Sequence, residues 1–219
     1  GNNAAAYGGA MFNQAVSPLV VNSLFTGNTA QYGGGLYNES AATRIINCSF
    51  AGNQVTITGA AMYTFGTVAP QITNSILWGN SSGIQNAGGA VPTVTNSIVQ
   101  GGYSGAGNLN LDPLFILQPT PALGSTGDLR LLGCSPAVNA GSNAALPAGV
   151  TADLGSFTRI ANGTVDMGAY ERQTTATSVT VYVDSSATGN NSGESWANAY
   201  KNFSSALIEL NFCTLGTTI

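Results

Sequence analysis

Val20-Val21-Asn22-Ser23-Leu24-Phe25-Thr26-Gly27-Asn28 is written again as Ile45-Ile46-Asn47-Cys48-Ser49-Phe50-Ala51-Gly52-Asn53 and as Ile72-Thr73-Asn74-Ser75-Ile76-Leu77-Trp78-Gly79-Asn80. A fourth copy, Val94-Thr95-Asn96-Ser97-Ile98-Val99-Gln100-Gly101-Gly102, ends differently. The four Asn stand 25, 27 and 22 residues apart. Self-similarity at such a period is the mark of a repeat architecture.

A second landmark precedes each of the first three copies: Gly8-Gly9-Ala10-Met11-Phe12, Gly33-Gly34-Gly35-Leu36-Tyr37 and Gly59-Ala60-Ala61-Met62-Tyr63. Near the fourth copy only Gly83-Ile84 and a displaced Gly88-Gly89 remain. Each repeat therefore holds short apolar runs broken by Gly-Asn turns, which is strand punctuation rather than helical periodicity. A chain that turns after each short strand and returns after about 25 residues traces a closed coil, and successive coils stack as rungs. The expected fold is all-β, a parallel β-helix over 1–108. In-register stacking would set Asn22, Asn47, Asn74 and Asn96 in a ladder with amides bonded from coil to coil, beside a column of Ser23, Cys48, Ser75 and Ser97. Small residues such as Ser23 and Ala60 suit tight bends, and the paired glycines suit corners where φ must be positive. A leucine-rich solenoid lacks its Leu-x-x-Leu-x-Leu frame here, and a helical solenoid lacks its amphipathic stretches.

Composition narrows the function. Five Lys plus Arg against nine Asp plus Glu, with no His, leave 6% of residues charged and a net charge of -4. A nucleic-acid partner would need a basic footprint, which is missing. No run approaches the roughly 20 apolar residues of a membrane span. Cys48, Cys134 and Cys213 show no zinc-ligand spacing. Cys48 reads as a small inward side chain, and the sequence leaves open whether Cys134 and Cys213 pair.

After a Gly-rich stretch at 101–107 the style changes. Residues 109–173 carry Asp112-Pro113-Leu114-Phe115, Gly127-Asp128-Leu129-Arg130-Leu131, Ser135-Pro136-Ala137-Val138-Asn139-Ala140-Gly141, Asp153, Arg159 and Asp166-Met167-Gly168-Ala169-Tyr170-Glu171. This series resembles the choice-of-anchor Q domain of bacterial surface proteins, in which a β-helix runs into a tail of this kind. Asn139 stands where the family usually has Asp, and Thr158 precedes Arg159 where it usually has Gly. The resemblance implies right-handed coils, export to the cell surface and, in some relatives, type IX secretion with a separate sorting domain.

Residues 174–178 read as a Thr/Ser-rich linker. Beyond it, 179–184 alternates like a strand, and Trp196, Tyr200, Phe203, Leu207 and Leu210 recur at helical spacing within 194–212. This strand-helix pair resembles the cap that opens β-helix domains of the same surface-protein class. Its place after the tail implies that 179–219 begins a further unit.

Few residues offer catalysis. The coils hold one acid and one base, Glu39 and Arg44, read as a solvated pair, whereas glycoside hydrolysis needs two carboxylates at a set separation. No P-loop or Gly-x-Ser-x-Gly motif occurs, and a Ser nucleophile has no His. Asp112, Asp128, Asp153, Asp166 and Glu171 supply oxygens of the kind Ca2+ takes, yet without a calcium-loop motif and with Arg130, Arg159 and Arg172 among them. The simpler expectation is local pairing that pins the tail over the last coil, with no cofactor. Tyr7, Phe12, Tyr32, Tyr37, Tyr63, Phe65 and Trp78 suggest a sugar platform on one flank. The sequence thus points to a non-catalytic structural or adhesive segment of a secreted bacterial protein, a unit of an array or extracellular filament whose partners are neighbouring β-helix units and surface polysaccharide. A carbohydrate-binding or polysaccharide-degrading β-helix protein, lyase or glycosidase, is the alternative.

Overall fold

In the computed structural model, which describes residues 1–173, 180–210 and 213, the repeats form a parallel β-solenoid of four turns. Coil one carries β1 (Met11–Gln14), β2 (Leu19–Val21), β3 (Leu24–Thr26) and β4 (Thr29–Tyr32). Coil two carries β5 (Leu36–Glu39), β6 (Arg44–Ile46), β7 (Ser49–Ala51) and β8 (Gln54–Thr58). Coil three carries β9 (Met62–Phe65), β10 (Gln71–Thr73) and β11 (Ile76–Leu77), and coil four β12 (Ile84–Ala87), β13 (Thr93–Thr95) and β14 (Ile98–Val99). Three four-stranded sheets run the length of the solenoid, β1-β5-β9-β12, β2-β6-β10-β13 and β3-β7-β11-β14, and β4-β8 makes a two-stranded fourth.

Register follows the repeat. Met11, Leu36, Met62 and Ile84 stack on one inner wall, Val20, Ile45, Ile72 and Val94 on the second, and Phe25, Phe50, Leu77 and Val99 on the third. These columns meet in one core, where the Phe25 and Phe50 rings lie parallel with centroids 4.3 Å apart. A one-residue slip would turn every column outward, so burial locks the register.

The bend between the second and third sheets is made by the repeated Asn. Asn22, Asn47, Asn74 and Asn96 adopt φ of 47°, 51°, 52° and 46°. Asn enters this left-handed region more readily than other non-glycine residues, which accounts for its recurrence at one point of every coil.

The third sheet is apolar on its inner face and, except at Ser49, along its outer column. Its outer column, Leu24, Ser49, Ile76 and Ile98, is covered by Phe115, Leu129, Leu131, Ala137 and Met167 of the tail in a second core. The tail therefore extends well beyond the last coil, where the sequence pattern had placed it. After Leu109 bridges to Ile98, the chain runs back down the flank: Ala122 N–H bonds to Gly52 C=O at 3.2 Å and Gly124 N–H to Gly27 C=O at 2.8 Å. An uncovered apolar sheet face requires a cover along its whole length, which explains the course. β15 (Phe115–Leu117) and β16 (Asp128–Leu131) then form an antiparallel pair on the outside.

The cap segment departs from its expectation in two ways. Val183 makes only an isolated bridge to Tyr200 where a strand was expected, and Val179 lies outside the described residues. The helix is short: α1 (Phe203–Glu209) starts where the Asn202 side chain accepts the Ser205 N–H, and the residues before Asn202 form turns. The segment folds back on the tail, with Tyr200 and Ala206 packed against Ile116 and Leu132 and a disulfide joining Cys134 to Cys213. The expected linker, 174–178, lies outside the described residues.

Candidate functional site

The Asn column is largely turned to the tail. Asn22 donates to Ala152 C=O at 2.8 Å, Asn47 to Asp166 C=O at 2.9 Å and Asn74 to Ser142 C=O at 3.0 Å. Only one amide bond passes between coils in this column, Asn74 to Asn47 at 3.4 Å. The amides bond elsewhere because the descending tail presents carbonyls that the left-handed bend leaves within reach. Asn96 sits beyond these bonds, and its backbone N–H reaches Ala106 C=O at 2.9 Å.

Coil-to-coil ladders form at two other positions. Asn53 Oδ1 accepts both the backbone and the amide N–H of Asn28, and Asn80 Oδ1 does the same for Asn53, all at 2.8–3.0 Å. The signal was visible in the Gly-Asn pairs that close the first three copies. In the neighbouring column Ser75 Oγ accepts Cys48 N–H at 3.1 Å and Ser97 Oγ accepts Ser75 N–H at 3.0 Å. Ser23 turns its hydroxyl to Val21 C=O, while Cys48 is fully buried and its thiol is pushed up to about 12 by desolvation.

The tail's charges build a clasp. Arg159 is wholly buried; its Nη2 donates to Asp166 C=O at 2.8 Å and Gly168 C=O at 3.1 Å and lies 3.4 Å from Glu171. Asp166 accepts the N–H groups of Asn139 (2.7 Å) and Arg172 (2.6 Å), and Glu171 those of Ala161 (3.1 Å) and Asp166 (2.9 Å). Asp153 accepts from Phe157 (2.9 Å) and Glu171 (2.8 Å). Burial pushes Asp166 up to about 6; burial and then the Asp166 charge push Glu171 up to about 7. Asp128 pairs with Arg130, and Asp112 accepts Leu114 N–H at 2.8 Å. These carboxylates satisfy backbone donors, and among the described residues no group of three or more His, Cys, Asp or Glu is arranged to hold a metal ion.

A second charged cluster, not singled out in the sequence, ties down the cap. Arg172 lies 3.4 Å from both Glu194 and Glu209, and the Tyr200 hydroxyl donates to Glu209 at 3.2 Å. Its members lie 22 and 37 residues apart along the chain, so no local pattern announces it.

In the coils, Glu39 accepts an amide bond from Gln14 at 3.2 Å, and no ion pair joins it to Arg44 among the described residues. The two are five residues apart but belong to different sheets, β5 and β6. Of the suggested aromatic platform, Tyr7, Phe12, Tyr32, Tyr37 and Tyr63 do gather on one flank, but largely against one another. Phe12–Tyr37 and Tyr37–Tyr63 centroids are each 5.3 Å apart, and Tyr7 packs 4.7 Å from Tyr37. Phe65 is exposed in the next outward column, and Trp78 packs beneath the tail.

A concavity lies elsewhere, where coil one, the tail and the cap meet. A cavity of about 570 Å³ is lined there by Leu24, Asp128, Arg130, Phe157, Tyr170 and Lys201 among others. Among the described residues no helix is long and apolar enough to cross a membrane. No protein-family model, curated protein or solved structure matches the chain.

Proposed function

We propose that the chain is a rigid, non-catalytic structural and adhesive segment of a large secreted bacterial cell-surface protein. The observation that carries this reading is the buried clasp: Arg159 Nη2 and the carboxylates of Asp153, Asp166 and Glu171 bond to backbone groups, with Arg159 3.4 Å from Glu171, locking the tail along the coils. Such use of charge serves rigidity. The Cys134–Cys213 disulfide suits an oxidising, extracellular compartment, and the tail motifs resemble the choice-of-anchor Q domain. β1, β2 and β3 each pair on one side only within their sheets, which suits neighbouring β-helix units as partners in an array or filament. Incubation of the chain with a panel of plant, algal and bacterial polysaccharides is expected to release neither reducing ends nor unsaturated sugars. Robust release would overturn the proposal in favour of a β-helix lyase or glycosidase.

A further inference from the structure

We infer that the cavity at the three-way seam binds an acidic oligosaccharide, its sugar ring against Phe157 and Tyr170 and its carboxylate at Lys201. The inference rests on the adhesive part of the proposed function and gives it a ligand class.

The cavity has the size of a small-molecule site, about 570 Å³ within the range of ~300–1,000 Å³. All three parts of the chain build it: Leu24 and Thr26 from coil one, Gly127–Leu131 and the Phe157 and Tyr170 loops from the tail, and Gly189–Ser192 with Lys201 from the cap. A docked cap is therefore a condition of the site, and the disulfide and the Arg172 pairs hold that cap in place.

Its lining has the mixed chemistry of sugar recognition. The half-buried rings of Phe157 and Tyr170 offer apolar surface to the C–H face of a pyranose, and the Gln173 amide oxygen and the Asn190 amide NH2 offer an acceptor and a donor to hydroxyls. On the aromatic flank, by contrast, the rings are occupied with one another.

Charge selects among sugars. Asp128 is paired with Arg130, and Arg172 with Glu194 and Glu209. Asp153 and Glu171 each accept two backbone N–H bonds, one on each oxygen. Lys201 differs: it is exposed at the cavity, and its ammonium makes no hydrogen bond or ion pair among the described residues. The three acids and three bases of the lining balance, and Lys201 is the cation among them with no acid partner among the described residues, a match for one carboxylate. A single cation is too little for a polyphosphate backbone, whose binders neutralise several charges at once.

The test is calorimetric titration of the whole oxidised chain with trigalacturonate and trimannuronate, each beside its carboxyl-reduced form. At least one acidic trisaccharide is expected to bind with Kd of about 0.1–1 mM. Carboxyl reduction and Lys201→Ala are each expected to weaken it about tenfold, with the melting temperature of the exposed Lys201 variant unchanged. Phe157→Ser should also weaken it. No binding at millimolar sugar, equal binding of the reduced forms, or a Lys201→Ala variant that binds like the parent would overturn the inference, as would loss of binding in Tyr63→Ser with the Phe157 and Lys201 variants unaffected. Failure in these arms without sugar release leaves the structural reading standing. Cleavage of the trisaccharides would overturn the non-catalytic reading instead.

Discussion

Replacing Arg159 with Met removes the cation of a wholly buried clasp while keeping most of the side chain's volume. In the parent, Arg159 donates to the carbonyls of Asp166 and Gly168, approaches Asn22 Oδ1 at 3.5 Å and lies 3.4 Å from Glu171, itself buried. Met supplies none of these donors and leaves the buried Glu171 carboxylate with two backbone N–H donors but without the Arg159 charge. Breaking a buried pair from one side costs about 3–5 kcal/mol, which in a chain of this length lowers the melting temperature by on the order of 10 °C. Urea unfolding measures the cost, and limited trypsin digestion at Arg130 reports whether the tail has loosened. The double variant Arg159→Met/Glu171→Gln tests the cause, because removing the orphaned charge should recover more than about 1 kcal/mol of the sum of the single losses. A single variant within about 1 kcal/mol of the parent, or losses that simply add, would refute the clasp.

Three further outcomes follow from the same geometry. Asn53→Ala strips the central rung of the buried ladder, leaving the Asn28 N–H without its partner and Phe25 C=O without its amide bond, and is expected to cost about 2–4 kcal/mol in urea unfolding; Asn3→Ala, at the exposed edge, should stay near zero. Reducing the Cys134–Cys213 bridge opens a loop spanning 79 residues in sequence and is expected to cost about 4–5 kcal/mol, read as early protease cleavage of the cap segment while the coils persist; simultaneous loss of both would count against a separately tethered cap. Stability should also fall as pH rises. Glu171 and Asp166 hold their protons up to about 7 and about 6 in the fold but lose them near the ordinary carboxylate values when unfolded. Their stabilising contribution is thus complete below the unfolded values and lost as pH climbs through the folded ones. The coupled pair is worth on the order of 3 kcal/mol, so the urea midpoint should be higher near pH 5 than near pH 8, with Glu171→Gln reducing the difference; a midpoint that rises over this range would refute the assignment.

Much of the clasp was legible residue by residue but not as an assembly. Asp153, Arg159, Asp166 and Glu171 stand out because charge is rare in this chain, yet their partners are mostly backbone groups, and no sequence pattern names a backbone partner. The tail's path had a readable cause that is easy to pass over: Leu24, Ile76 and Ile98 sit beside the inward Phe25, Leu77 and Val99, so the third strand of coils one, three and four is apolar on both faces. The cap was misread because helical spacing of Trp196, Tyr200, Phe203 and Leu207 suggested one buried stripe. The fold buries Tyr200 alone among these four and leaves Trp196 and Phe203 about two-thirds exposed.

Sequence alone determined the solenoid, its period and its register. Coil-on-coil stacking is a local rule repeated four times, and a column of like residues can satisfy it only one way. Tertiary structure decided everything that joins residues far apart in the chain: which ladder carries the amides, where the tail lies, that Cys134 meets Cys213, and that coil, tail and cap enclose a cavity. Those contacts depend on the path of irregular backbone, and a path with no period leaves no periodic trace in the sequence.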